Sequence, residues 1–145
     1  MAFTIDTMIR LLRIVNIAML LLYTLGFIIR VPPELSRLSK GDSTSLIAFL
    51  VVALLVFALH TLSLYFAWRG LGSTSTLTVV QTAWRLNIVL ALFSLYQIVS
   101  SLLDKTEDFL SNPLFTLLVV LNVVALGKRK SVLKAIPATR ADGAN

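Results

Sequence analysis

A few polar residues interrupt the apolar stretches of this sequence, and their types define the chemistry that they could do. They are Asn16, His60, Asn87 and Asn122, with Gln97 as a fifth, and Arg85 is close to the first four in predicted depth. Amides and a guanidinium can bind an anion or a carbonyl oxygen, and an imidazole can carry a proton or ligate a metal. Helical rise places the first four side chains about 5–13 Å from the inner membrane interface. The sequence therefore predicts a polar cluster, and one interpretation is a site that binds a lipid headgroup, a quinone or an anion.

The same residues have a second interpretation, which is hydrogen bonding between helices. Asparagine and histidine join membrane helices with about 0.6–2 kcal/mol per pair. Small and hydroxyl residues recur beside Asn87 at Ala91, Ser94 and Ser101, which lets neighbouring backbones approach closely. We favour helix packing, with the third helix at the centre of the bundle, and keep ligand binding as the alternative.

His60 is the single histidine of the chain. Ligation of a haem by two histidines would need a second copy of the chain, whereas one histidine is enough to ligate the magnesium of a pigment or to relay a proton. No other feature of the sequence points to these roles. We therefore expect a structural histidine, no metal site and no resident cofactor, with haem or pigment ligation by His60 as the alternative.

The acidic residues and the missing motifs exclude several classes of function. All seven carboxylates lie outside the apolar stretches: Asp6, Glu34, Asp42, Asp104, Glu107, Asp108 and Asp142. Proton-coupled transport by a membrane carboxylate, or a carboxylate-bridged metal centre there, has no candidate residue. The chain has no cysteine, no zinc-protease helix motif and no glycine-rich phosphate loop. We expect that it is not an enzyme.

Four apolar stretches position these residues in a chain that is 57% hydrophobic and 14% charged. They cover approximately residues 11–29, 46–67, 86–103 and 113–127, and about 20 apolar residues cross the hydrocarbon core as a helix. The predicted fold is an all-α integral membrane protein, a four-span transmembrane helix bundle. Residues 1–130 form its single domain, and residues 131–145 form a basic cytoplasmic tail.

Lysine and arginine counts predict the orientation. The N-terminal segment, the second loop and the tail carry nine of these residues, whereas the first and third loops carry four. Basic loops stay on the cytoplasmic side, so both termini are predicted to be cytoplasmic, which an even number of spans allows. We expect a bacterial inner membrane. The net charge of +6 is attributed to this asymmetry and not to nucleic-acid binding.

Aromatic and basic residues mark the predicted inner interface. The interface anchors are Trp68, Arg69, Trp84, Lys128, Arg129 and Lys130. Arg85 follows Trp84 and is expected at the same level, with its guanidinium reaching lipid phosphates. A third helix that began near Thr76 would instead carry Arg85 about two turns deep and make it a ligand site.

These observations favour a non-catalytic role. We expect an accessory, assembly or scaffold subunit that packs against a larger membrane complex, because the loops are short and no catalytic set is present. The alternative is a homo-oligomeric channel or transporter that uses the polar cluster. A bacteriocin immunity protein or a holin-like protein ranks below both. The expected partners are membrane lipids and other membrane subunits, or a second copy of the chain.

Overall fold

The computed structural model describes residues 5–39, 43–104 and 111–141, and within them the chain forms four helices. They are α1 (Ile5–Leu38), α2 (Ser43–Gly70), α3 (Leu77–Asp104) and α4 (Ser111–Ala141). The predicted all-α class is confirmed. Three segments are long and apolar enough to cross a membrane: Asp6–Leu38, Ser43–Gly70 and Leu77–Ser100. They support integration into a membrane. The apolar part of α4 is shorter.

The helices extend beyond the apolar stretches of the sequence. α3 begins nine residues before the predicted start of the third span, and Thr76 caps it by accepting a hydrogen bond from the backbone N–H of Val79 at 3.4 Å. α4 continues to Ala141, through most of the segment that was predicted as a tail. Hydropathy locates the part of a helix that lies in hydrocarbon, whereas a helix ends where its backbone hydrogen bonds end.

α1 also runs on where the sequence predicted a boundary. The prolines Pro32 and Pro33 lie inside the helix, which ends only at Leu38. Each proline lacks an N–H, so the carbonyl groups of Ile28 and Ile29 lose their usual helical donors. Both prolines are exposed, and a helix tolerates this loss where other polar groups or water can reach the carbonyl oxygens.

Each helix packs mainly against its neighbour in sequence, and α1 touches α4 only over a short stretch. The main cluster of buried apolar residues comes from all four helices and the α2–α3 connection: Leu12, Leu64, Ala67, Leu71, Val80, Ala83, Leu118, Ala125 and Leu126. Most of them lie near the end that holds the start of α1 and the α2–α3 connection, which we call the basic end. The buried residues of α2 all lie in its second half, from His60 to Gly70.

Hydrogen bonds within the α2–α3 connection, and others from α4, fix its conformation. Its sequence is rich in glycine and serine, yet the hydroxyl of Ser75 donates to the carbonyl oxygen of Arg69, and the N–H of Gly72 donates to the same oxygen at 3.0 Å. Arg129 reaches across from α4 and donates to the carbonyl oxygens of Leu71 and Gly72. α4 therefore fixes the loop between the two preceding helices.

Candidate functional site

Three asparagines meet in the interior of the bundle. Nδ2 of Asn16 donates to Oδ1 of Asn122 at 2.8 Å, and Nδ2 of Asn122 donates back to Oδ1 of Asn16 at 2.7 Å. Nδ2 of Asn122 also donates to Oδ1 of Asn87 at 3.3 Å. All three side chains are 0% exposed. One connected set of amides thus joins α1, α4 and α3.

Asn87 connects this set to α2. Its Nδ2 donates to the carbonyl oxygen of Ser63 at 3.1 Å and to that of Ala83, in its own helix, at 2.9 Å. The hydroxyl of Ser63 donates in return to the carbonyl oxygen of Leu86 at 3.3 Å. We call the four residues Asn16, Ser63, Asn87 and Asn122 the amide layer. Each helix contributes one of them.

Every Nδ2 hydrogen of the three asparagines in the amide layer is donated to an oxygen within the bundle. Each Nδ2 carries two hydrogens, and the second hydrogen of Asn16 goes to the carbonyl oxygen of Leu12 at 2.7 Å. Every Oδ1 in the layer accepts at least one hydrogen bond from a neighbouring amide. No amide hydrogen is left to bind an anion, a quinone or a headgroup. This geometry supports helix packing over ligand binding.

His60 lies in a second layer, which is aromatic. It is 4% exposed, and its ring stacks on Tyr23 with centroids 4.5 Å apart and on Phe115 with centroids 5.3 Å apart. Phe93 meets the imidazole edge-on at 6.0 Å. These four residues, the aromatic layer, again come from four different helices. The imidazole Nδ1 lies 2.7 Å from the carbonyl oxygen of Val56 and must carry the hydrogen, since a carbonyl oxygen can only accept.

The stacking geometry predicts how His60 responds to substitution. We expect His60→Phe to change the free energy of unfolding by less than about 1.5 kcal/mol, because an aromatic ring of similar shape keeps the layer. His60→Ala should cost about 2–4 kcal/mol through the cavity that it leaves. Reversible unfolding in mixed micelles measures both values. If His60 were a metal ligand or a proton relay, His60→Phe and His60→Ala would both abolish that activity, because neither phenylalanine nor alanine can bind a metal or a proton.

Arg85 is not part of either layer. It lies on α3 two residues before Asn87, and its side chain is exposed on the outside of the bundle. α3 does begin next to Thr76, as the deeper placement required, yet the side chain faces away from the core. The structure thus brings together three of the five residues of the predicted cluster, moves His60 to the next layer and leaves Arg85 outside.

The predicted interface anchors pack mainly against one another or against the loop. The Lys130 ammonium lies over the Trp84 ring at 3.6 Å from its centroid, and a Cβ at Gly127 would lie 3.4 Å from Nε1 of the same tryptophan. Arg69 donates to the hydroxyl of Tyr65 at 3.3 Å. Trp68 is half-buried, and Lys128 is exposed. Their position at a membrane interface stays a prediction.

Two arginines lie in partly buried environments that hydropathy did not indicate. Arg129 was predicted only as an anchor but holds the α2–α3 connection. Burial, and then the charge of nearby Arg13, lower the pKa of its guanidinium. Nε of Arg13 is itself buried without a hydrogen-bond partner. Tertiary contacts between α1, the loop and α4 create these environments, and no local sequence signal precedes them.

Within the described ranges, no group of three histidine, cysteine, aspartate or glutamate residues could hold a metal ion. Comparison with known proteins found no matching family, no matching curated sequence and no matching solved structure.

Proposed function

We propose that this chain is a non-catalytic subunit of a larger membrane complex, docked through the outer half of α1. In this proposal all four helices cross a bacterial inner membrane, with both termini in the cytoplasm. The basic end then faces inward, which agrees with the preference of arginine and lysine for the cytoplasmic side. The amide layer draws the short apolar part of α4 into the bundle through Asn122.

The observation that carries this proposal is an open concavity on α1. It has a volume of about 420 Å³, and it is lined by Met19, Leu22, Tyr23, Gly26, Phe27, Arg30 and Val31. A Cβ built on Gly26 would meet nothing within 4 Å, so the chain leaves this face of the helix uncovered. Small residues are where membrane helices approach one another closely. A helix of another subunit fits such a surface.

Charge and burial also support a partner at this place. Arg30 lies at one end of the concavity and has no ion-pair partner among the described residues, so a partner helix with an acidic residue near its end would complement it. In the described part of α1, the buried residues Leu12 and Asn16 both precede this region. The outer half of α1 packs on α2 through Tyr23 and Phe27, but none of its described residues is fully buried.

The second function, transport through a homo-oligomer, receives less support from the core. The amide layer uses its own hydrogens, and the aromatic layer fills the next level of the bundle. A solute path through a single copy would have to break both layers. A path in an oligomer would have to run between copies, where exposed side chains of α1 to α4 are apolar over most of their length.

Substitution of Gly26 tests the proposal. We expect Gly26→Leu to reduce co-purification of the partner subunits at least tenfold, because the leucine fills the concavity. The fold of the chain should be unaffected, since a Cβ at this position meets nothing within 4 Å and the rest of the side chain can extend into the open concavity. Ala58→Leu is the matched control, because it adds similar volume to an exposed position on α2. Quantitative mass spectrometry of the tagged chain, extracted in mild detergent, measures the partners.

Equal recovery of partners with Gly26→Leu, Ala58→Leu and the wild-type chain would contradict docking at this concavity. Recovery of the wild-type chain solely as copies of itself would contradict the accessory role and favour the homo-oligomer. A melting temperature that matches the wild type in detergent verifies that the Gly26→Leu chain is folded.

A further inference from the structure

Two adjoining cavities lie at the basic end, on the side away from the Gly26 concavity. The first has a volume of about 380 Å³ and is lined by Arg10, Arg13, Ile14, Ile17 and Trp68. The second, of about 260 Å³, is lined by Arg13, Trp68 and Arg69 together with residues 72, 74–76 and 79 of the α2–α3 connection and α3. Arg13 and Trp68 belong to both cavities, so the two form one continuous surface.

The two cavities differ in chemistry. Isoleucine side chains and the Trp68 ring line most of the first, which is a groove between α1 and α2. Arginines and the hydroxyl residues Thr74 and Ser75 line much of the second. A molecule that fills both must be charged at one end and apolar at the other.

Among the described residues, no carboxylate pairs with the arginines around these cavities. The ion pair found among the described residues joins Glu34 to Arg37 at the opposite end of α1. Asp6 lines a different cavity, with α4. Nε of Arg13 is buried without a hydrogen-bond partner, and the charges of Arg13 and Arg129 repel each other. An anion bound at the guanidinium of Arg13 would offset this repulsion.

We propose that these cavities bind an anionic phospholipid, with its phosphate between Arg13 and Arg69 and the start of an acyl chain along Ile14, Ile17 and Trp68. Guanidinium groups suit phosphate because their planar N–H groups match its oxygens. The hydroxyl of Thr74 supplies a further donor at the polar end. The apolar groove distinguishes this ligand from free phosphate, which has no part that could occupy it.

Quenching of Trp68 fluorescence by brominated lipid tests this site. In a Trp84→Phe background, Trp68 is the single tryptophan and reports directly on the groove. We expect phosphatidylglycerol with brominated acyl chains, mixed into phosphatidylcholine vesicles, to quench more strongly than brominated phosphatidylcholine at the same fraction. Arg69→Gln should lower this preference about fivefold, the effect of one basic residue near an anionic surface. Arg13→Gln should lower it at least as much.

The matched control is Arg85→Gln. This exposed arginine lies outside both cavities, so any lipid phosphate that it reaches is not in the Trp68 groove, and the preference measured at Trp68 should be unchanged. Equal quenching by the two brominated lipids would overturn the proposal, as would equal losses with Arg69→Gln and Arg85→Gln. A site for free phosphate alone would bind inorganic phosphate and still give equal quenching by the two brominated lipids, which would overturn the lipid assignment. Native mass spectrometry independently gives the number of anionic lipids that remain bound to each chain. This number should be lower for Arg69→Gln than for the wild type and unchanged for Arg85→Gln.

Discussion

Replacing Asn122 with leucine is expected to lower the free energy of unfolding of this protein by about 2–3 kcal/mol. The substitution removes both hydrogen bonds to Asn16 and the bond to Asn87. It leaves a hydrogen of Asn16 Nδ2 and two amide oxygens buried among leucine and alanine side chains without partners. Reversible unfolding of the chain in mixed micelles measures the change.

Two further variants separate hydrogen bonding from simple loss of polarity. Gln97→Leu removes a half-buried amide on α3 that lies outside the amide layer, and we expect it to cost less than about 0.5 kcal/mol. The pair Asn16→Leu and Asn122→Leu together should cost about 1 kcal/mol less than the sum of the single changes, because each single change strands the partner. Strict additivity would contradict the reciprocal bond between these residues.

Gly70→Val is expected to destabilise the bundle by about 3 kcal/mol or more, through overpacking. A Cβ at this position would lie 2.9 Å from Cδ2 of Leu126 and 3.0 Å from Cβ of Ala83. Leu126 and Ala83 are fully buried, and the Cβ of Ala83 moves only with the α3 backbone. The glycine therefore allows α2 to approach α3 and α4 at the basic end. The detergent concentration at the midpoint of unfolding should therefore be lower for Gly70→Val than for the wild-type chain.

Gly26 provides the matched comparison for Gly70. Gly26→Ala adds a methyl group where nothing lies within 4 Å, and alanine favours helix over glycine by about 1 kcal/mol. We therefore expect Gly26→Ala to match or exceed the wild-type stability, while Gly70→Ala loses about 1–2 kcal/mol. Similar losses at both positions would mean that helix propensity, and not packing, governs these glycines.

The depth of the polar residues in the membrane could be predicted from the sequence, but the side of the helix on which each side chain lies was predicted less well. Counting residues from the predicted interface placed Asn16, Asn87 and Asn122 at similar levels, and the structure shows them in contact. Arg85 satisfies the same count, yet it precedes Asn87 by two residues, which is a rotation of about 200° around the helix. Considering that rotation would have excluded Arg85 from the cluster.

Other features depend on tertiary contacts that no local pattern contains. Ser63 is one hydroxyl among several in α2, and only its position opposite Asn87 makes it part of the amide layer. His60 joins an aromatic layer because Tyr23, Phe93 and Phe115, from three other helices, surround it. The ends of the helices were misjudged for a different reason, since hydropathy measures the apolar length and the backbone remains helical beyond it.

The two ends of the bundle differ in how closely their helices pack. The amide and aromatic layers and the apolar core fix how the four helices meet near the basic end, and each layer takes one residue from every helix. The outer half of α1 remains open at Gly26. A chain that is well packed at one end and uncovered at the other is consistent with a subunit completed by a partner.

Native mass spectrometry of the tagged full-length chain, extracted gently from its host membrane, tests the proposed function most directly. We predict a complex that contains other membrane proteins in fixed stoichiometry, and we predict that Gly26→Leu loses them while Ala58→Leu keeps them. A closed assembly formed from copies of this chain alone, unchanged by Gly26→Leu, would contradict the accessory role.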